Sequence, residues 1–140
     1  MASNETNWNG RLSFPSNMTR AHELIEQMLV EVDRHAWPDK ERFAVQLALE
    51  EAFVNAVNHG NKTDPAKQVH FSWLIERNLI RFQVEDEGEG FDPDSVPDPT
   101  DEEHIMVASG RGVLLIRGFM DRVDFNEKGN SVFMEKTRKS

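Results

Sequence analysis

The residues best suited to chemistry stand at the end of a long helical pattern, Glu50-Glu51-Ala52-Phe53-Val54-Asn55-Ala56-Val57-Asn58-His59-Gly60. At about 100° per residue, Glu51, Asn55, Asn58 and His59 fall within roughly one 100° sector, whereas Glu50 points away from it. A carboxylate and two amides therefore share a face. The carboxylate can take a proton, and an Asn carbonyl oxygen is a donor suited to Mg²⁺. Toward the N-terminus the same sector carries Ala44, Leu47 and Ala48, expected in the core, so the stripe turns from apolar to polar as it nears Gly60. Unpaired Glu and Asn are costly to bury, so a buried helix that turns polar at one end usually borders a site; a solvated helix end is the alternative.

Two further groups converge with this one. Ile80, Phe82 and Val84 alternate as the inward face of a strand, and Asp86 follows in the same phase. A buried carboxylate at a strand end can accept a hydrogen bond from an exocyclic amine. Gly88 and Gly90 then let backbone approach something closely. Gly110-Arg111-Gly112 opens a helix whose free amides and positive dipole end suit a phosphate. Together these describe a nucleotide site, and the absence of any Gly-x-x-x-x-Gly-Lys-Ser/Thr stretch excludes a P-loop. Taken singly, Asp86 reads equally as a turn cap, Gly88 and Gly90 as an ordinary turn, and Gly110 and Gly112 as a helix entry.

The elements that must position these residues are legible from periodicity. Residues 1–10 are polar and expected to be mobile. Leu12 and Phe14 alternate as a short strand that Pro15 ends, and Met18, Ala21, Leu24, Ile25, Met28, Leu29 and Val32 form a helical stripe. Trp37-Pro38-Asp39 breaks it and starts the second helix, with Asp39 and Glu41 at its positive end and Gly60 expected as its C-terminal stop. Val69, Phe71, Trp73 and Ile75 mark a strand, Glu76-Arg77-Asn78 a turn, and residues 92–109 a long acidic, proline-containing loop. Val113, Leu114, Leu115, Ile116, Phe119 and Met120 supply the third helix. Val123 and Phe125, a turn at Glu127-Lys128-Gly129-Asn130, and a strand from Ser131 complete the chain. Hairpins in place of βαβ repeats predict an α+β fold, a mainly antiparallel sheet covered on one face by three helices.

Composition excludes several classes of function. A chain of 140 residues is long enough for one domain with its own core, expected over 11–137. Cysteine is absent, which removes disulfides, thiolate metal sites and thiol nucleophiles. The five histidines are scattered without ligand spacing, so zinc is not expected. A net charge of -9 argues against nucleic acid, and no stretch approaches a membrane span. The N-terminus carries no basic or apolar targeting run, and a cytoplasmic location is expected.

In order and spacing the chain resembles the GHKL ATPases of the Bergerat fold, and among them the anti-sigma-factor serine/threonine-protein kinases, across roughly residues 10–137. Glu51-Ala52-Phe53-Val54-Asn55-Ala56 is similar to the N box, Asp86-Glu87-Gly88-Glu89-Gly90-Phe91-Asp92 to the first glycine box, and Gly110-Arg111-Gly112-Val113 to the second. The resemblance implies a two-layer sandwich that binds ATP and Mg²⁺. Glu51 would be the general base, Asn55 the Mg²⁺ ligand, Asp86 the carboxylate that reads adenine, and residues 92–109 the ATP lid. Asn58, His59, Gly88, Gly90, Gly110, Arg111, Gly112 and Val113 would border the nucleotide. Ser131 falls where the family commonly has a threonine near the adenine. Implied partners are a sigma-like factor and an antagonist of the STAS type, with a homodimer suggested.

Two departures stand out: Asp92, Asp94, Asp98, Asp101, Glu102 and Glu103 make the lid acidic, with Arg111 its obvious positive partner, and Ser109 replaces a glycine of many relatives. A nucleotide-dependent protein-binding switch without phosphotransfer is the competing function. Calcium binding by the acidic loop is disfavoured because Pro97 stands where an EF-type loop needs glycine.

Overall fold

Alternation of apolar and polar side chains builds the strands, and the register between strands decides which face becomes core. The computed structural model describes residues 8–88 and 116–138. In it β1 (Gly10–Pro15), β2 (Gln68–Ile75), β3 (Leu79–Glu85), β4 (Arg122–Phe125) and β5 (Ser131–Thr137) form one sheet in the order β1-β2-β3-β5-β4. All neighbouring strands are antiparallel. Leu12, Phe71, Val84, Val132 and Phe125 lie in one cross-strand row, and Trp73, Phe82, Met134 and Val123 in the next, so one face is apolar from edge to edge. The intervening row on the opposite face is Arg11, Ser72, Gln83, Phe133 and Asp124.

The helices cover the apolar face. Asn17 caps α1 (Met18–Arg34) by accepting hydrogen bonds from the Thr19 and Arg20 N–H groups, and Ala21, Leu24, Ile25, Met28, Leu29 and Val32 form its buried stripe. In α2 (Asp39–Val54), Pro38 precedes an acidic first turn, and Ala44, Val45, Ala48, Leu49, Ala52 and Phe53 are buried. Leu47, expected in the core, is only half-buried. The Phe53 ring meets Phe14 at 5.6 Å and Phe71 at 5.0 Å between centroids, both edge-on, which seats α2 on β1 and β2. Residues 116–119 are helical, and Ile116 and Met120 join the same core. Lys136, on the core face of β5, is buried and its Nζ donates a 2.8 Å hydrogen bond to the Phe119 carbonyl. The predicted α+β, two-layer arrangement is the observed one. None of the described helices is long and apolar enough to cross a membrane.

The start of the described chain departs from the expected mobile N-terminus. The Asn9 N–H donates to the Trp73 carbonyl at 2.7 Å, the Ile75 N–H donates to Asn9 Oδ1 at 2.7 Å, and Trp8 packs edge-on against Phe133 on the open sheet face. Polar residues here are ordered by backbone pairing, which hydrophobic patterning does not register. The loop over residues 92–109 lies outside the described residues.

Phe53 is fully buried and its ring joins helix to sheet. Phe53→Ala is expected to lower the unfolding free energy by about 3–5 kcal/mol, read from urea titration of Trp fluorescence.

Candidate nucleotide site

Past Val54, α2 does not end as a plain α-helix; Asn55–Gly60 form a π-helical turn. The Asn61 N–H reaches the Ala56 carbonyl at 2.9 Å, five residues back. The helix ends at Gly60 as expected, but without a left-handed glycine, because the φ of Gly60 is not positive; Lys62 (φ 53°) and Thr63 (φ 56°) make the left-handed turn. What Gly60 supplies is room. A Cβ on Gly60 would overlap both carboxylate oxygens of Asp86, and a Cβ on Gly88 would overlap the Gly60 carbonyl oxygen. The close approach expected of Gly88 is thus to the helix end itself.

The residues of the polar sector differ in burial. Glu51 and Glu50 are both half-buried in regular α2. Asn55 opens the π turn, and its Oδ1 is buried with no hydrogen-bond partner among the described residues. Asn58 and His59 are exposed, and Asn58 Oδ1 accepts a 3.3 Å hydrogen bond from Thr63 Oγ1. Exposure therefore separates Asn58 and His59 from the buried Asn55 oxygen.

Asp86 follows Val84 on the core face and is only 8% exposed. Burial pushes its carboxyl up from the ordinary value, opposed by the Gly88 N–H, which donates to Oδ1 at 2.8 Å. Among the described residues nothing else donates to the carboxylate. The backbone around it is held at each residue. The Asp86 N–H donates to the Asn130 carbonyl at 2.8 Å, Asn130 Nδ2 donates to the Asp86 carbonyl at 2.9 Å, and the Glu87 N–H donates to Asn61 Oδ1 at 2.7 Å. Asn61 is fully buried, and its Nδ2 donates to Ser16 Oγ and to the Gln68 carbonyl. The Glu87 carboxylate accepts the Gln68 N–H and pairs with His70 Nε2 at 2.9 Å, and these contacts, the Gln68 bond foremost, lower its pKa.

Ser131 stands apart from this group. It lies opposite Glu85, and its Oγ accepts from Gln83 Nε2 at 3.1 Å, so its side chain is on the sheet face away from Asp86. The residue beside Asp86 is Asn130, in phase with Val132 and Met134; that phase was the available signal for it. Asn61 was missed too, because an Asn after a glycine reads as an ordinary turn residue and only tertiary contacts bury it. Gly90, Gly110, Arg111, Gly112 and Val113 lie outside the described residues. Among the described residues no three His, Asp or Glu cluster as a metal site. The unpaired Asn55 oxygen is a single hard donor, which fits a Mg²⁺ ion bound mainly through substrate phosphates.

A buried strand-end carboxylate against a helix that bears Glu and Asn, on an antiparallel sheet covered on one face, defines a nucleotide-binding class of protein. Residues 14–136 match the histidine kinase-like ATPase domain, and the chain belongs to that family. Relatives include an anti-sigma F factor of Oceanobacillus iheyensis, 31% identical over 97 residues, and one of Geobacillus stearothermophilus, 32% identical over 102 residues; each match covers 66% of both chains. A serine-protein kinase RsbW of Oceanobacillus iheyensis is 28% identical over 99 residues, covering 66% of this chain and 63% of the relative. The chain thus spans about two thirds of the length of the curated relatives it matches. In fold it is similar to a crystal structure of the RsbU and RsbW domains of a Mycobacterium tuberculosis protein, with a TM-score of 0.59 at 15% identity, covering 94% of this chain and 32% of that one.

The raised pKa of Asp86 fixes a sign. Its folded value exceeds its unfolded one, so its favourable contribution is complete below the unfolded value of about 3.9 and fades as pH rises through the folded value. Asp86→Asn keeps an acceptor for the Gly88 N–H without the buried charge. In nucleotide-free urea titrations the variant should gain stability relative to wild type as pH rises from 4 to 7, and a gap that narrows over that range would contradict the burial assigned to Asp86.

Proposed function

We propose that the chain is an ATP-dependent serine/threonine-protein kinase of the anti-sigma-factor type, which phosphorylates a STAS-type protein antagonist, sequesters a sigma-like factor, or does both. The observation that carries this reading is the buried Asn55 oxygen, without a partner among the described residues, on the same helix as Glu51 and at the start of the turn that closes on Asp86. A buried carbonyl oxygen without a partner costs about 1–3 kcal/mol, a cost that a bound cation removes. Relatives named anti-sigma F factor and serine-protein kinase support the assignment.

In this reading the Asp86 carboxylate accepts the exocyclic amine of adenine, and Asn55 holds Mg²⁺, which when bound neutralises and orients the phosphates. Glu51 takes the proton of the partner's serine hydroxyl, since a carboxylate positioned within hydrogen-bond reach serves as general base. Gly110, Arg111, Gly112 and Val113 contact the phosphates, and Asn58 and His59 line the solvent side. Ser131 is not assigned a nucleotide contact, given its bond to Gln83. In this reading the protein acts in the cytoplasm, and a homodimer is what the family resemblance suggests.

Binding and chemistry should separate by mutation. Glu51→Ala is expected to retain nucleotide affinity while turnover falls about a hundred- to ten-thousandfold. Asn55→Ala should in addition lose the Mg²⁺-dependent part of ATP affinity, and Glu50→Ala should change neither much. Calorimetry and phosphate transfer to a captured partner, or ATP hydrolysis, are the measurements. Wild-type turnover from Glu51→Ala would assign the base elsewhere, and ATP-dependent capture without transfer by the wild type would make the protein a binding switch.

A further inference from the structure

The turn between β4 and β5 is wound around one side chain. Asn126 Oδ1 accepts hydrogen bonds from the Gly129, Asn130 and Ser131 N–H groups at 2.8, 3.0 and 3.2 Å. Three N–H groups can converge only on an acceptor, which fixes the orientation of the Asn126 amide and turns its Nδ2 outward. That Nδ2 donates to Asn130 Oδ1 at 2.7 Å, so the Asn130 amide is oriented in turn, with Nδ2 aimed at the Asp86 carbonyl 2.9 Å away. The Asn130 carbonyl meanwhile accepts the Asp86 N–H at 2.8 Å. One residue therefore grips both backbone polar groups of Asp86, just beyond the last ladder pair, Glu85 with Ser131. Asn130 is 9% exposed and Asp86 8%, so these bonds are shielded from competing water.

From this relay we infer that Asn130, oriented by Asn126, is a positioning residue that sets which base the site accepts. The inference rests on the reading of Asp86 as the carboxylate that meets the exocyclic amine. A carboxylate discriminates between bases only if its oxygen is held within hydrogen-bond range of one amine position, and a backbone free to pivot at Asp86 would let that oxygen retreat to water. The Gly88 N–H fixes Oδ1 from within the loop, but the loop is itself anchored through the Asp86 peptide groups that Asn130 holds. Loss of the Asn130 side chain leaves the Asp86 carbonyl without its donor, so that of the two bonds from Asn130 to the Asp86 backbone only the one to its N–H remains, and the peptide can tilt about it.

The test uses two triphosphates that differ only in the amine, ATP and purine riboside 5′-triphosphate, titrated by calorimetry into the full chain. The wild type should prefer ATP by about tenfold or more, the value of one buried hydrogen bond to a charged group. Asp86→Asn should abolish the preference. Asn130→Ala should bring the ratio of the two affinities most of the way to that of Asp86→Asn while thermal melting still reports a folded protein. Should Asn130→Ala not fold, Asn130→Ser, which suits a turn but cannot span to the Asp86 carbonyl, serves the same comparison. A merely structural role would weaken both triphosphates by the same factor, and an unchanged ratio in a folded Asn130 variant overturns the inference while leaving the role of Asp86 intact. A wild type that binds neither triphosphate overturns the nucleotide reading and this inference with it.

Discussion

A carboxylate buried against bare backbone is the constraint on which the site depends. Asp86 is pressed between Gly60 and Gly88, with one N–H donor among the described residues to offset its desolvation. Charge in such a place is unfavourable unless hydrogen bonds satisfy it, and the fold tolerates it because the surrounding backbone is over-determined by Asn61 and Asn130. A group that the fold itself leaves under-satisfied is one a ligand can satisfy at little reorganisation, which is how preorganisation becomes affinity. The same reasoning applies to the Asn55 oxygen.

Stability for this arrangement comes from elsewhere in the domain. The apolar rows that cross the sheet and the Phe14, Phe53 and Phe71 cluster bind α2 to β1 and β2 without any polar requirement. Because α2 carries Phe53 into the core and bears Glu51, with Asn55 on the turn that continues it, the placement of these two candidate residues is inherited from packing. A site on a rigid helix anchored this way is held more accurately than one on a loop.

Period decided what the sequence disclosed. The strands and helices were legible because their side chains alternate or recur at three and four, and Asp86 was legible because it continues the phase of Ile80, Phe82 and Val84. Asn130 continues the phase of Val132 and Met134 in the same manner, yet the motif drew attention to Ser131, whose side chain takes the opposite face. The π turn had no local signature, since Asn55-Ala56-Val57-Asn58-His59-Gly60 is compatible with an ordinary helix; the contacts of Gly60 with Asp86 and Gly88 accompany the widened pitch. Asn61 was invisible for a related reason, as the partners of its side chain, Ser16, Gln68 and Glu87, stand on three separate segments that only the fold brings together.

The π turn also makes the helix end a device that counts residues. Its closing bond, from the Asn61 N–H to the Ala56 carbonyl, encloses one residue more than an α-helical turn would. Deleting a single residue between Asn55 and Gly60 would return the helix end to the common pitch with Gly60 near its present angle, because five π steps and four α steps sweep similar arcs. Adding one would displace Asn61 from the cavity it fills. The turn has already taken up its one extra residue, so a further one would have to be absorbed by carrying Gly60 and Asn61 together away from Asp86 and Glu87.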